Sequence, residues 1–328
     1  MSAVQKVEVA EDEDDLRLDR WFRRHFPSLS HGRLEKLLRK GQVRVDGGRV
    51  KASTRIRAGQ QIRVPSLDDA AKQPARKTKA LSLSKSEIAD LQALVIYRDD
   101  DVLAINKPPG LAVQGGSRTP RHLDGMLEAL TFDAAERPRL VHRLDKDTSG
   151  VLLLARNAKS AAWLTEAFRD HRTRKIYWGL VAGSPRPTEG KIEAKLAKLP
   201  ARRGGENVQI DAKKGKPAVT YYAVVESAAK KAAWVAMMPV TGRTHQLRVH
   251  MAAIEAPLIG DGKYGGDEAV LPGAADKLHL HAREIMLRGP RRRRIHVTAP
   301  LPEHMRETWT LLGFDLNNDG DPFAELEI

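Results

Sequence analysis

Apolar positions set the first elements. Leu18, Trp21 and Phe22 recur at helical spacing with Phe26 one turn on, and Pro27 ends the run. Ser30 fits the N-cap of a second helix carrying Leu34, Leu37 and Leu38, which Gly41 stops. Val43 and Val45 then alternate with polar residues before Asp46-Gly47-Gly48, a tight-turn signal. Val50 resumes the alternation, which predicts a hairpin. A short strand, Gln61 to Val64, follows Gly59.

From Leu67 to Glu87 large apolar residues thin out and Asp, Ala, Lys and Ser dominate, which predicts a flexible linker over 67–87 between a module at 14–66 and a domain at 88–316. In that domain Leu94 to Tyr97 and Val102 to Ile105 flank an Asp-rich turn and read as a hairpin. Val151 to Ala155 is a continuously apolar strand, and Asn157 fits the cap of a helix whose Leu164, Phe168 and His171 share a face. Further strands are predicted over Ile176 to Val181, Val219 to Val225 and Trp234 to Met238, with a late hairpin from Leu280 to Leu287 and Ile295 to Thr298. Strands outnumber helices and their connections vary in length. The fold class is therefore α+β, with a mixed or antiparallel sheet rather than a doubly wound parallel one. Residues 317–328 are acidic and predict a frayed tail.

Composition narrows the class. The chain has 328 residues, 41% hydrophobic and 30% charged, as a globular protein with a real core requires. No apolar run approaches the ~18 residues of a membrane span, and no signal-peptide pattern opens the chain, so the expectation is a cytoplasmic protein. Cysteine is absent, which removes disulfides, thiolate metal sites and cysteine nucleophiles.

Charge points to a partner. The net charge is +14, and Leu16 to Ser66 carries fourteen Lys or Arg against three acids. A charged helix face is ordinarily just solvated. Here Arg33, Lys36, Arg39 and Lys40 escape the leucine stripe of the second helix, and the same sign continues through Arg44, Arg49 and Lys51. That continuity favours a polyanion, RNA or DNA, whose phosphates release counterions when neutralised. The order helix, helix, hairpin, with Ser30-His31-Gly32-Arg33 and Leu38 to Val45, resembles the alpha-L RNA-binding module over some fifty residues.

Several chemistries are missing: a Walker-type phosphate loop, a dinucleotide fingerprint and a Gly-x-Ser-x-Gly elbow. His245 and His250 are five apart and do not share a helix face as two zinc ligands would, and His279 with His281 lacks a third ligand nearby, so no metal is expected. Three polar stretches remain. His142-Arg143-Leu144-Asp145-Lys146-Asp147-Thr148-Ser149-Gly150 stands at the mouth of an apolar strand, where charge is costly unless paired or functional. Arg143 and Lys146 flank Asp145 and favour its carboxylate, which can serve as nucleophile or base; a loop salt-bridge cluster would look the same locally. Thr241 to His250 reads as a helix opened by a glycine turn, with Arg248 beside its buried stripe. Lys175 and Tyr177 project to one side of a strand, where a tyrosine is either core or a surface on which a base stacks.

Together these stretches resemble the RluA family of pseudouridine synthases, and its RluC-like branch, from Leu16 to Pro302. The strongest element is His142-Arg143-Leu144-Asp145 with Thr148-Ser149-Gly150. Asn106 to Gly110, Ala112 to Ser117, the Lys175/Tyr177 strand and Thr241 to His250 follow in the family's order. The resemblance implies that Asp145 is the catalytic aspartate, that Arg143 enters the RNA stack when the target nucleotide leaves, that Tyr177 packs beneath the flipped base and that Arg248 pairs with Asp145. Asp147 falls at a variable position and is a bystander. Arg33, Lys36, Arg39, Lys40 and Arg44 would contact RNA. The implied reaction isomerises uridines of 23S ribosomal RNA without cofactor or metal, with no membrane and no obligate protein partner. A synthase acting on tRNA, or a non-catalytic RNA-binding ribosome-assembly factor, remains the alternative. Pro185 to Lys216 and Arg291 to Arg294 match no usable motif.

Overall fold

A computed structural model describes residues 4–27, 29–67, 83–115, 119–170, 173–199, 207–290, 293–318 and 320–326. The chain divides into two compact units, Met1–Ser82 and Leu83–Ile328. Most of the expected linker, and Gly116, Ser117, His171, Arg291 and Arg292 among the residues singled out above, lie outside the described residues.

In the first unit β1 (Gln5–Glu8) precedes α1 (Leu18–His25) and α2 (His31–Arg39), followed by β2 (Arg44–Val45) and β3 (Gln61–Val64). Leu18, Trp21, Phe22, Leu34, Val43 and Ile62 share one core, so the periodic apolar stripe of each helix is what the strands cover. Ser30 caps α2, accepting from the Arg33 N–H at 3.4 Å. Two expectations change. The Asp46–Gly48 turn forms, with Val45 N–H donating to the Gly48 carbonyl at 3.2 Å, but Val50 adds no strand. Instead β2 pairs with β3, which also pairs with β1, in the order β1-β3-β2. The unit also begins before residue 14. Glu13 is buried, where it accepts from Trp21 Nε1 at 2.8 Å and faces His25 Nε2 at 2.6 Å, so the acidic start is partly structural.

The second unit opens with α3 (Lys85–Ala93), closed at its start by a Ser84/Glu87 capping box; Lys85–Glu87 is therefore helix rather than linker. An eleven-stranded sheet follows. Its strands are β4 (Val95–Arg98), β5 (Val102–Lys107), β6 (Arg139–Leu140), β7 (Ser149–Ala155), β8 (Thr173–Ala182), β9 (Glu189–Leu199), β10 (Asn207–Ile210), β11 (Lys216–Ala228), β12 (Ala232–Pro239), β13 (Leu280–Arg288) and β14 (Arg294–Thr298). They run in the order β10-β9-β11-β12-β8-β13-β7-β5-β4, with β14 on β13 and β6 on β7. The sheet is mixed: β7 and β13 are parallel at Ser149↔His281 and Gly150↔Ala282, and the remaining pairs are antiparallel. The architecture is α+β, as the pattern predicts.

Among the described residues three further α-helices belong to this unit: α4 (Ala158–Arg169), capped by Asn157, α5 (Gln246–Ala253) and α6 (Glu303–Leu312). All seven residues of β7 are buried, which is why its sequence is apolar without alternation. Trp178, Trp234, Trp309 and Phe314 form the core near α6. Phe323 joins them, 3% exposed, and Asp321 pairs with Arg174. The stretch after Asn317 is thus held by a buried ring and an ion pair rather than frayed along its length. β9 and β10, which the sequence pattern did not reveal, extend the sheet beyond β11.

Candidate functional site

Gly150 fixes the close approach of β7 to β13. Its φ is +108°, and a Cβ there would stand 2.2 Å from the Ala282 carbonyl oxygen, so only glycine fits. That pairing delivers the loop His142–Thr148 to a cleft of about 440 Å³, bounded on the other sides by β8 and the approach to α5.

The loop is pinned from within the protein. His142 Nε2 accepts the Leu153 N–H at 2.8 Å, and its ring stacks on Phe168 at 4.3 Å. Burial, with Lys175 nearby, pulls the imidazole down to about 3; it is neutral, with its proton on Nδ1. Ser149 Oγ lies 2.9 Å from His281 Nδ1, and His281 Nε2 reaches the Ala299 carbonyl at 3.1 Å. Lys107, fully buried at the end of β5, donates to the carbonyls of Pro108 (2.8 Å), Leu111 (3.0 Å) and Lys146 (2.9 Å). Burial pulls its pKa to about 7, while the carboxylates of Asp147 and Asp145 push the other way. Three carbonyl acceptors match the three N–H bonds of an ammonium.

Asp145, Arg143, Tyr177 and Arg248, singled out from the sequence, all line this one cleft, with Lys175 beside Tyr177 on β8. Burial pushes the Tyr177 phenol far up, and the Asp145 carboxylate adds to the effect, so the ring is a neutral apolar face. Burial pulls Lys175 down to about 8. Asp147 is exposed and outside the lining. Arg33, Lys36 and Arg39 stand on α2 of the other unit, with Lys40 at its C-cap; Lys36, Arg39 and Lys40 are exposed and Arg33 half-buried. Arg44 differs: its guanidinium donates to the carbonyls of Gly41 (3.1 Å) and Gly47 (3.0 Å) and so braces the module.

One expectation is corrected. Arg248 does not pair with Asp145 but grips Asp261, Nε to Oδ2 at 2.7 Å and Nη2 to Oδ1 at 2.6 Å. Asp261 is 1% exposed, so a buried bidentate fork outcompetes a carboxylate at the cleft surface, where water still screens it. Arg248 reaches Asp145 only as a nearby charge. His245 stands in ion-pair range of Asp145, Nε2 to Oδ2 at 3.9 Å.

The sequence pattern did not single out Asp261 and Tyr264. Their signal was the run Gly260-Asp261-Gly262-Lys263-Tyr264-Gly265-Gly266. Gly260, at φ +75°, would place a Cβ 1.9 Å from the Lys277 carbonyl, so this loop is built for close backbone passage. A second hub is Gln246, whose Oε1 accepts from Thr241 Oγ1 (2.7 Å) and the Arg243 N–H (3.0 Å) while its Nε2 donates to the Val219 carbonyl and Thr220 Oγ1, both at 2.9 Å. Among the described residues no group of three or more His, Asp or Glu is placed to hold a metal ion, and no helix is long and apolar enough to cross a membrane.

Comparison with known proteins agrees with this layout. The family model for RNA pseudouridylate synthases matches residues 101–253, and that for the S4 domain matches residues 16–62. A Rickettsia conorii protein named ribosomal large subunit pseudouridine synthase C is 36% identical over 275 residues, 83% of this chain and 88% of that protein. A Vibrio cholerae protein of the same name is 35% identical over 318 residues, 94% of this chain and 96% of that one. Among solved structures, human RNA pseudouridylate synthase domain containing 4 superposes with a TM-score of 0.57 at 27% identity, over 69% of this chain and 95% of that one.

Proposed function

The chain belongs to the RluA family of pseudouridine synthases, in its RluC-like branch behind an N-terminal S4 module, and on that premise we propose that it isomerises specific uridines of large-subunit ribosomal RNA. The relatives whose names specify the large ribosomal subunit favour that RNA over tRNA. The observation that carries the mechanism is Asp145: its carboxylate, 20% exposed, lies in a cleft whose opposite strand offers the neutral face of Tyr177.

A stacked uridine hides its glycosidic bond, so the nucleotide must leave the helix at a cost of a few kcal/mol. Arg143, exposed at the cleft mouth, fills the vacated place in the stack, and Tyr177 holds the extruded base. Asp145 then acts on the sugar or the base: by addition, or by taking the 2′ proton, it allows the uracil to detach, turn and rejoin the ribose through carbon 5, which then loses its proton while the freed N1 takes one up. Lys175 lines the same cleft and adds a cationic side chain to it. The α2 cations hold RNA outside the cleft without reading its sequence.

The test is to map pseudouridines in RNA from a strain lacking this protein, then complement with the wild type and with Asp145→Asn. Pseudouridines should vanish from large-subunit ribosomal RNA and return only with the wild type. Loss confined to tRNA overturns the substrate; restoration by Asp145→Asn overturns the role of the carboxylate.

A further inference from the structure

His245 occupies the left-handed region, φ 53° and ψ 19°, immediately before α5. A histidine there costs on the order of 1 kcal/mol or more, and such residues persist where surrounding structure enforces them. Here the enforcement is visible. The Gln246 amide locks Thr241 to Arg243 on one side. On the other, Tyr264 holds the imidazole, Oη to Nδ1 at 2.6 Å, with the rings edge to face.

The contacts fit one arrangement of the proton. Tyr264 Oη accepts the Val208 N–H at 3.2 Å. Burial raises the Tyr264 pKa, so the phenol keeps its proton. Given to His245 Nδ1, 2.6 Å away, that proton makes Nδ1 an acceptor and leaves the ring N–H on Nε2, the tautomer the proposal takes. Nε2 is the atom facing Asp145 Oδ2 at 3.9 Å. Since Arg248 is committed to Asp261, a directed donor for the Asp145 carboxylate comes from His245.

We propose that His245 is the positioning residue for Asp145, its Nε2–H aimed at the carboxylate by the relay Val208 N–H to Tyr264 Oη to His245 Nδ1. The 3.9 Å separation is longer than a hydrogen bond; in the proposal it shortens to one in the substrate complex, as catalytic contacts tighten when substrate is bound. In that geometry one oxygen of Asp145 is held and the other is presented to the nucleotide. The cation-π contact of Arg248 over the Tyr264 ring, 5.0 Å, ties the relay to the Arg248–Asp261 pair. This inference rests on the reading of Asp145 as the reacting carboxylate.

The experiment measures steady-state kcat and KM of the full chain on its RNA for His245→Phe, His245→Gln, Tyr264→Phe and Asp145→Asn, each checked for a cooperative unfolding transition. His245→Phe should lower kcat by about 10- to 100-fold, as removing an orienting partner does, with KM little changed. His245→Gln, which keeps a side-chain N–H of similar reach, should recover most of that loss. Tyr264→Phe keeps the ring on Arg248 but frees the tautomer, and should cost a smaller factor in kcat alone. The proposal is overturned if His245→Phe keeps wild-type kcat, if Gln is as impaired as Phe, or if the loss appears in KM. An active Asp145→Asn would instead remove the reading on which it rests, so the two failures are distinguishable.

Discussion

The buried ammonium of Lys107 donates to the carbonyl oxygen of Lys146 over 2.9 Å, one residue past Asp145. The Gly110 N–H donates to the same oxygen at 3.0 Å, so the turn after β5 and the loop before β7 are clamped together. A Lys107→Met chain keeps the length and removes the donor, leaving carbonyls of three residues without it. At about 1–3 kcal/mol for a buried polar group left unmade, the expected loss of stability is about 3 kcal/mol. Activity should fall with it, because the Asp145 loop loses its anchor. Urea unfolding and pseudouridine formation on one preparation check both; an unchanged urea midpoint would refute the clamp.

Arg248 and Asp261 make a separate prediction. Arg248→Met leaves a carboxylate 1% exposed without its partner, which typically costs about 3–5 kcal/mol. Adding Asp261→Asn should recover part of it. If Arg248→Met were nearly as stable as the wild type while kcat collapsed, the arginine would be acting directly on Asp145 and the buried fork would matter little.

Three buried histidines and the half-buried His142 predict acid lability. Burial pulls His142 and His281 to about 3 and His250 and His279 to about 4, against an ordinary 6.5. The native state keeps them neutral while the unfolded chain takes up protons below 6.5. The histidine contribution to stability is therefore full above that pH and falls as pH drops toward 4, with a slope of up to about 1.4 kcal/mol per pH unit for each group. Urea midpoints should decline from about pH 6.5 downward. A midpoint that stays level to pH 5 would sink this account.

On α2, replacing Arg33, Lys36, Arg39 and Lys40 by Gln should leave the unit folded, since none belongs to its core. RNA affinity should fall and its dependence on log salt should flatten by roughly one unit for each phosphate no longer neutralised. Arg44→Gln should instead lower the stability of the unit, because that guanidinium bonds the Gly41 and Gly47 carbonyls. Salt titrations and thermal unfolding separate the two classes. An unaltered salt slope in the fourfold variant would remove α2 from the RNA interface.

Local pattern was sufficient for what local forces decide. The leucine stripes of α1 and α2, the Ser30 and Asn157 caps, the apolar β7 and the polar loop before it are each set by neighbours within a few residues, so periodicity and capping chemistry expose them. The cleft residues Arg143, Asp145, Tyr177 and Arg248 were legible for another reason: they stand in dense motifs that resemble a known family. Partner choice was not legible. Arg248 has carboxylates at Asp145 and Asp261 within its field, and only burial of Asp261 on a loop thirteen residues away decides between them. Likewise β2 pairs with β3 rather than folding back on Val50, and Phe323 joins the cluster that holds Trp178 and Trp234, because these contacts are made by segments that are not neighbours in sequence. The chain alone determines where α1, α2, α4, the apolar β7 and the loop that carries the Asp145 carboxylate fall. Which donor meets that carboxylate depends on distances and desolvation that exist only once the sheet has brought β7, β8 and α5 around one cleft.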